Sequence, residues 1–459
     1  MERYDLLVIG GGAAGLAAAR EGALLGARVA LVEQGFLGGT CLNRGDLPKL
    51  WLRRAALFLR AVQQAGDLGI TVPEVALDWP AVLRQQHQLL QRLQAEKEAE
   101  LRAAGITLVR GTATFQSPTA VKVGERLLSA DHIVLAVGTV PGRLEIPGDD
   151  LILDIADLYD LHDFPSSLVL VGQGPYALET AHLFRGAGAH VTLVVPGAAP
   201  LPDEDRAFGE ELLRLSRARG IRVLTHAVPI GAEALDHDRV LRVRLPAGEE
   251  PLGAHVLAAE RPRQVPAEPL GLAVAGVEVR DGRIPVNGFL QTTVPHIYAA
   301  GAADGPAHGT GLALYEGRLA ARNALRGNTE PVDYRYVCRV LFTDPPAAAV
   351  GLSEEAARAA FHEIEATALP VSYLGRALID QAREGLVKVI AEARTGRLLG
   401  VWLIGESADE VITAFAAALR AGWTRDELLA VVPPYPTMSA GAWAYATAPA
   451  LGHALACCG

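Results

Sequence analysis

The stretch "DLLVIGGGAAGLAAAREGALLGARVALVE", residues 5–33, decides the fold. Its opening "DLLVI" is an apolar run suited to a buried parallel strand. Gly10, Gly12 and Gly15 then fit G-x-G-x-x-G, a helical pattern follows, and a second apolar run ends in Glu33. Dinucleotide binding requires this order. The first glycine makes the turn, the second lets backbone approach a pyrophosphate, and the third lets helix pack on strand. The helix N-terminus faces the phosphates, and an acid about 20 residues on takes ribose hydroxyls. A glycine motif alone is weak; with its strand, helix and acid it specifies a dinucleotide-binding βαβ unit.

The pattern recurs in "SLVLVGQGPYALETAHLFRGAGAHVTLVV", residues 167–195. Gly10 maps to Gly172, Gly12 to Gly174, and Gly15 to Ala177, which the motif tolerates. Glu33 maps to Val195, and Pro196–Pro200 follow with no arginine to meet a 2′-phosphate. The second unit therefore carries the fold signal without the residue that would hold a ribose. A third block, "ADHIVLAVGTVPGRLEIPG" (130–148), reads as a strand leading to a glycine turn. "HIYAAGAADG" (296–305) is another strand ending at glycines, placed to complete the first, interrupted domain.

Length and composition bound the rest. At roughly 100–200 residues per domain, 459 residues suggest about three domains. A net charge of −10, with no basic run, argues against a nucleic-acid surface. The start "MERYDLLVIGGG" carries Glu2, Arg3 and Asp5 and breaks at glycines, unlike a signal peptide. The Ala- and Gly-rich tail holds Pro449 and His453 and suits a packed interface better than a membrane span. Four cysteines are too few for a disulfide scaffold. The expectation is a cytoplasmic protein with neither nucleic-acid nor membrane partners.

Over essentially its whole length the chain resembles the class I pyridine nucleotide-disulfide oxidoreductases: dihydrolipoamide dehydrogenase, glutathione reductase and mercuric reductase. The likeness is carried by the first fingerprint, "GGTCLN" (38–43), "GTATF" (111–115), and the second fingerprint with Glu179. It continues through "IYAAG" (297–301), "FTDPPAAAVGLSEEAAR" (342–358) and "TGRLLGVWLIGESADEVI" (395–412). The resemblance implies an α/β fold with two Rossmann-like domains and an α+β dimerisation domain. The expected boundaries are an FAD-binding domain over 1–148 and 263–330, an NAD(P)-type domain over 149–262, and a dimerisation domain over 331–459. It implies FAD contacts at Gly10, Gly12, Gly15, Glu33, Gly39, Thr40, Ala113, Gly138 and Gly301. It places NADPH or NADH at Gly172, Gly174 and Ala177, and implies a homodimer acting on a small molecule or metal ion.

The mercuric reductase branch fits best at the end of the chain. In "PPYPTMSAG" (433–441), Tyr435 stands where the other branches carry a histidine, and Ala440 where they carry a glutamate. The tail ends "ALACCG", and the resemblance makes Cys457 and Cys458 soft-metal ligands, suited to Hg(II), that reach the partner subunit's site. The alternative is a tail with incidental cysteines.

The departures centre on the flavin. Asp46 replaces the second cysteine, and a disulfide forms only by attack of one thiolate on another sulfur. Leu50 replaces the lysine expected to pair with Glu179; Lys49 is adjacent, but neighbours on a helix point in different directions. Ala302 stands at the aspartate that would hold the flavin's ribitol chain, and Ala259 and Glu260 replace a Thr-Gly. Cys41 is either a reactive thiol whose pKa falls near a helix start, or a small core residue. Asp46 is a base or hydrogen-bond acceptor, or an ordinary helix-start aspartate. Glu179 without its lysine either has a raised pKa in burial or finds another partner. Tyr435 either binds a ligand in the dimer cleft or satisfies its hydroxyl locally. Two functions follow: a mercuric-reductase-like FAD enzyme without ordinary dithiol chemistry, or an inactive paralogue that binds thiol-seeking metals or partners.

Overall fold

Strand β1 (Glu2–Ile9) turns at Gly10, whose φ of +104° is open to glycine and costly for other residues. Helix α1 (Ala13–Leu24) and strand β2 (Val29–Glu33) complete the unit expected from the opening sequence. The computed structural model describes residues 1–236, 238–305 and 309–447.

Helices α2 (Gly39–Asn43), α3 (Asp46–Gln63) and α4 (Trp79–Ala103) follow, and Asp78 caps α4 by accepting from Ala81 N. Strands β3 (Thr107–Arg110), β4 (Ala113–Ser117), β5 (Ala120–Val123) and β6 (Arg126–Leu135) extend the sheet in the order β3-β2-β1-β6-β5-β4. The late strand Ile297–Ala299 pairs parallel with β6, as the sequence pattern required of an interrupted domain. The helix Thr310–Arg326 packs along α1 so closely that a Cβ at Gly317 would lie 2.1 Å from Ala14 O.

A short ladder of β7 (Val140–Pro141) with Arg263–Gln264 joins the outgoing and returning chain. Between them lies a second parallel sheet. It runs Arg222–Thr225, His190–Val195, Ser167–Val171, Val256–Ala259 and Ile152–Asp154, with helix α5 (Pro175–Gly186) after its central strand. A three-stranded antiparallel sheet over Val228–Ala254 covers one side.

The C-terminal unit is a five-stranded antiparallel sheet over Arg339–Ile404, backed by helices Ala408–Ala421 and Met438–Thr447. Its core joins that of the second unit: the Phe208 and Trp402 rings meet edge-on at 5.2 Å. Lys388 Nζ lies 2.8 Å from both Asp205 carboxylate oxygens, in an almost fully buried pair. Truncating a ring such as Trp402 to alanine costs about 3–5 kcal/mol. Two Rossmann-like layers and an α+β unit are the architecture expected from sequence. Among the described residues no helix is long and apolar enough to cross a membrane.

Candidate active site

The strand-end loops of the first unit enclose a cavity of ≈ 490 Å³. Gly10, Gly12, Glu33, Gly39, Thr40, Ala113, Gly138 and Gly301 all line it, as do Cys41, Asp46, Tyr176, Ala302 and Thr310. Gly15 sits behind the turn, where a Cβ would come within 1.7 Å of Gly10 O; its part is to let α1 pack. Gly172, Gly174 and Ala177 belong to the second unit and do not line this cavity.

FAD fits the residues present. The N-cap of α1, Gly12, is extended; no side chain caps the helix and no acid lies in its first turn, so its N–H groups remain for phosphate. A Cβ at Gly12 would meet only Gly39 Cα, at 3.7 Å, leaving the approach clear. Glu33 stands at the rim with its carboxylate fixed by Gly11 N at 2.7 Å and Gly35 N at 2.6 Å.

Cys41 lies on α2, and Asp46 opens α3 with Gly45 as its N-cap. Thr310 Oγ1 donates to Asp46 Oδ2 at 2.5 Å, and Lys49 Nζ lies 3.3 Å from Asp46 Oδ1. Lys49 continues to Glu179 Oε2 at 2.6 Å, and Phe342 N donates to Glu179 Oε1 at 2.7 Å. The ammonium also faces the rings of Tyr176 and Phe342. Burial opposes the charge on Lys49, but the carboxylates of Glu179 and Asp46 outweigh it and raise its pKa.

One expectation is corrected here, and one open alternative is narrowed. Glu179 does not lose its lysine: Lys49 points from α3 onto α5 and reaches it, while Leu50 is only half-buried. Adjacent helical residues do diverge, but the long lysine stem spans the difference, and Asp46 one turn earlier draws it inward. The Cys41 thiol is not activated by its helix start. Burial pushes it up to about 11, and the Asp46 carboxylate adds to the rise while the Thr310 hydroxyl opposes it. A half-buried thiol beside an anion lacks the positive surroundings that favour thiolate.

Asp46 is thus more than a helix-start residue, since it binds both Thr310 and Lys49. Tyr435 is 63% exposed and does not line the cavity. Cys338 packs half-buried against the C-terminal core. Cys457 and Cys458 lie outside the described residues, and among those described no group of three or more His, Cys, Asp or Glu is placed to hold a metal. Sequence reasoning missed Thr310, which no motif marks. It also missed Glu316, which lines the cavity and accepts from Gly301 N at 2.8 Å. In the second unit the glycine turn is met by a side chain: Glu260 accepts from Gly174 N at 2.9 Å and Tyr176 N at 3.3 Å.

Comparison with known proteins agrees with this fold. The family model for pyridine nucleotide-disulphide oxidoreductases matches residues 4–317, and that for the family's dimerisation domain matches 337–445. A mercuric reductase of Bacillus cereus is 31% identical over 442 residues, covering 95% of this chain and 70% of that one. A dihydrolipoyl dehydrogenase of Bacillus subtilis (strain 168) is 34% identical over 454 residues, covering 95% and 96%. A mercuric reductase of Streptomyces lividans is 35% identical over 448 residues, covering 95% and 94%. Members of the family are FAD-dependent oxidoreductases that use NAD(P)H, and the dimerisation domain brings with it a homodimer. The chain belongs to the pyridine nucleotide-disulphide oxidoreductase family.

Proposed function

We propose that this protein is an NAD(P)H- and FAD-dependent oxidoreductase of the mercuric-reductase-like type that performs no dithiol–disulfide exchange within a subunit. The observation that carries this reading is the arrangement around Asp46. Where a second thiol would be needed, a carboxylate is bound by Thr310 and Lys49 beside the Cys41 thiol. A thiol and a carboxylate cannot form a disulfide.

Bound FAD supplies the electron chemistry; the chain supplies position and charge. The free N-terminus of α1, beginning at Gly12, is suited to the diphosphate, and Glu33 to the ribose. Lys49 stays cationic between two carboxylates, a fixed positive charge behind Asp46, which lines the cavity. Cys41, protonated at neutral pH, loses its proton when a soft metal binds, because the thiolate is the ligand. In the dimer, Cys457 and Cys458 of the partner subunit would supply the further sulfurs for a thiol-bound metal ion such as Hg(II). Tyr435, exposed in the single chain, is placed on the C-terminal unit that dimerises.

The test is steady-state oxidation of NADPH and NADH by the purified dimer, with Hg(II) in excess small thiol, with lipoamide, and with glutathione disulfide. The reading expects turnover with the metal, its loss in Cys41→Ser, and none with either disulfide. Robust reduction of lipoamide or glutathione disulfide would overturn it.

A further inference from the structure

The two nucleotide-type turns of this chain differ in one respect that bears on how it is reduced. The first leaves its helix N-terminus open to the cavity. At the second, the equivalent donors are taken by the chain itself. Glu260 follows the strand Val256–Ala259, and its backbone N–H is held by Val171 O at 2.8 Å. This directs its side chain into the turn after Ser167–Val171. One carboxylate oxygen accepts from Gly174 N and the other from Tyr176 N. A Cβ at Gly174 would lie 2.5 and 2.6 Å from the two Glu260 oxygens, so the carboxylate fills the space that the glycine leaves. Burial raises this carboxyl to about 7 even though the amides of Tyr176, Gly174 and Ala177 pull the other way. Further along, Gly197 N is taken by Gln173 Oε1 at 2.9 Å, where a ribose would be met by the strand end at Val195.

These donors are the ones a dinucleotide's diphosphate uses in such a turn. The carboxyl and a diphosphate cannot share them, because each would occupy the same space and the same N–H groups, and where Glu260 is ionised like charges at contact distance also repel. We propose that the Glu260 carboxyl is an internal ligand lodged in the diphosphate cradle of the second unit, and that NAD(P)H binds this chain only by displacing it. The proposal rests on the reading of the chain as an NAD(P)H-dependent flavoenzyme and names the residue that sets its affinity for reductant. Because neither an acid nor an arginine stands at Val195–Pro200, the cradle separates NADH from NADPH weakly.

Equilibrium titration of the full-length, FAD-loaded protein with NAD⁺ and NADP⁺, followed by calorimetry, tests this without turnover. Glu260→Gly removes the side chain, and Glu260→Gln keeps its shape without its charge. The expected result is binding of both dinucleotides about tenfold or more tighter in Glu260→Gly, equivalent to about 1.4 kcal/mol, with Glu260→Gln between it and the parent. If Glu260→Gly misfolds, as judged by circular dichroism, Glu260→Gln decides. If the folded variants bind no tighter than the parent, whatever the parent's affinity, Glu260 is not a competitor and the proposal fails. Flavin content, read from absorbance in the same samples, tests the flavoenzyme reading separately.

Discussion

Lys49 Nζ lies 2.6 Å from Glu179 Oε2, both side chains being nearly inaccessible to solvent, although they are 130 residues apart in sequence. The pair ties α3 of the flavin-side unit to α5 of the second unit and holds a positive charge beside Asp46. Removing one member leaves the other charged and buried, which costs about 3–5 kcal/mol. Lys49→Met should lose about that much stability in chemical denaturation. The double variant Lys49→Met/Glu179→Gln should recover most of it, since no charge is then stranded.

Cys41 should react as a high-pKa thiol. Alkylation by iodoacetamide should rise with pH toward about 11 rather than level off near neutrality. In Asp46→Asn the nearby negative charge is gone, so the profile should move to lower pH. A parent profile that levels off below pH 8 would show that Cys41 is activated after all.

Ala302 lines the cavity, and the family resemblance puts at this position an acid that holds the ribitol chain. Flavin should dissociate readily on gel filtration, and Ala302→Asp should slow its loss. A charge-assisted hydrogen bond contributes about 1.5–3 kcal/mol, enough to raise affinity about tenfold or more.

His182 gives the fold a pH dependence of definite sign. It is buried, shares a hydrogen bond with Ser216 at 2.9 Å, and accepts from Asp344 N at 3.3 Å. Burial, then the charges of Arg219, Arg53 and Arg60, lower its pKa to about 3. Unfolding restores a value of about 6.5, so the unfolded chain binds the extra proton between those limits. The stability that depends on neutral His182 is therefore complete above about pH 6.5 and declines as pH falls toward 3, by up to about 1.4 kcal/mol per unit. His182→Gln should flatten that slope in denaturation series at pH 4–7; an unchanged slope would contradict the assignment.

The fold was legible because its signals are local. Gly10, Gly12, Gly15 and Glu33 fall within one βαβ unit, and the same spacing marks the second. The site was legible only in part. Asp46 and Thr310 stand 264 residues apart, and nothing near either announces their bond. Lys49 was misjudged because helical direction was weighed without the reach of its stem. The state of Cys41 stayed open in the sequence because motif position says nothing of burial. Glu260 was visible as a departure, but its contact with the Gly174 turn required the strand geometry that brings Val256–Ala259 beside Ser167–Val171.

The most direct measurement of the single-thiol site is an anaerobic reductive titration with dithionite, in a Cys457→Ala/Cys458→Ala variant reconstituted with FAD. Flavin alone takes up about one two-electron equivalent, and a disulfide beside it takes a second. The account predicts that absorbance changes end at about one equivalent per flavin. Uptake of about two would reveal a redox-active disulfide beside the flavin and contradict it.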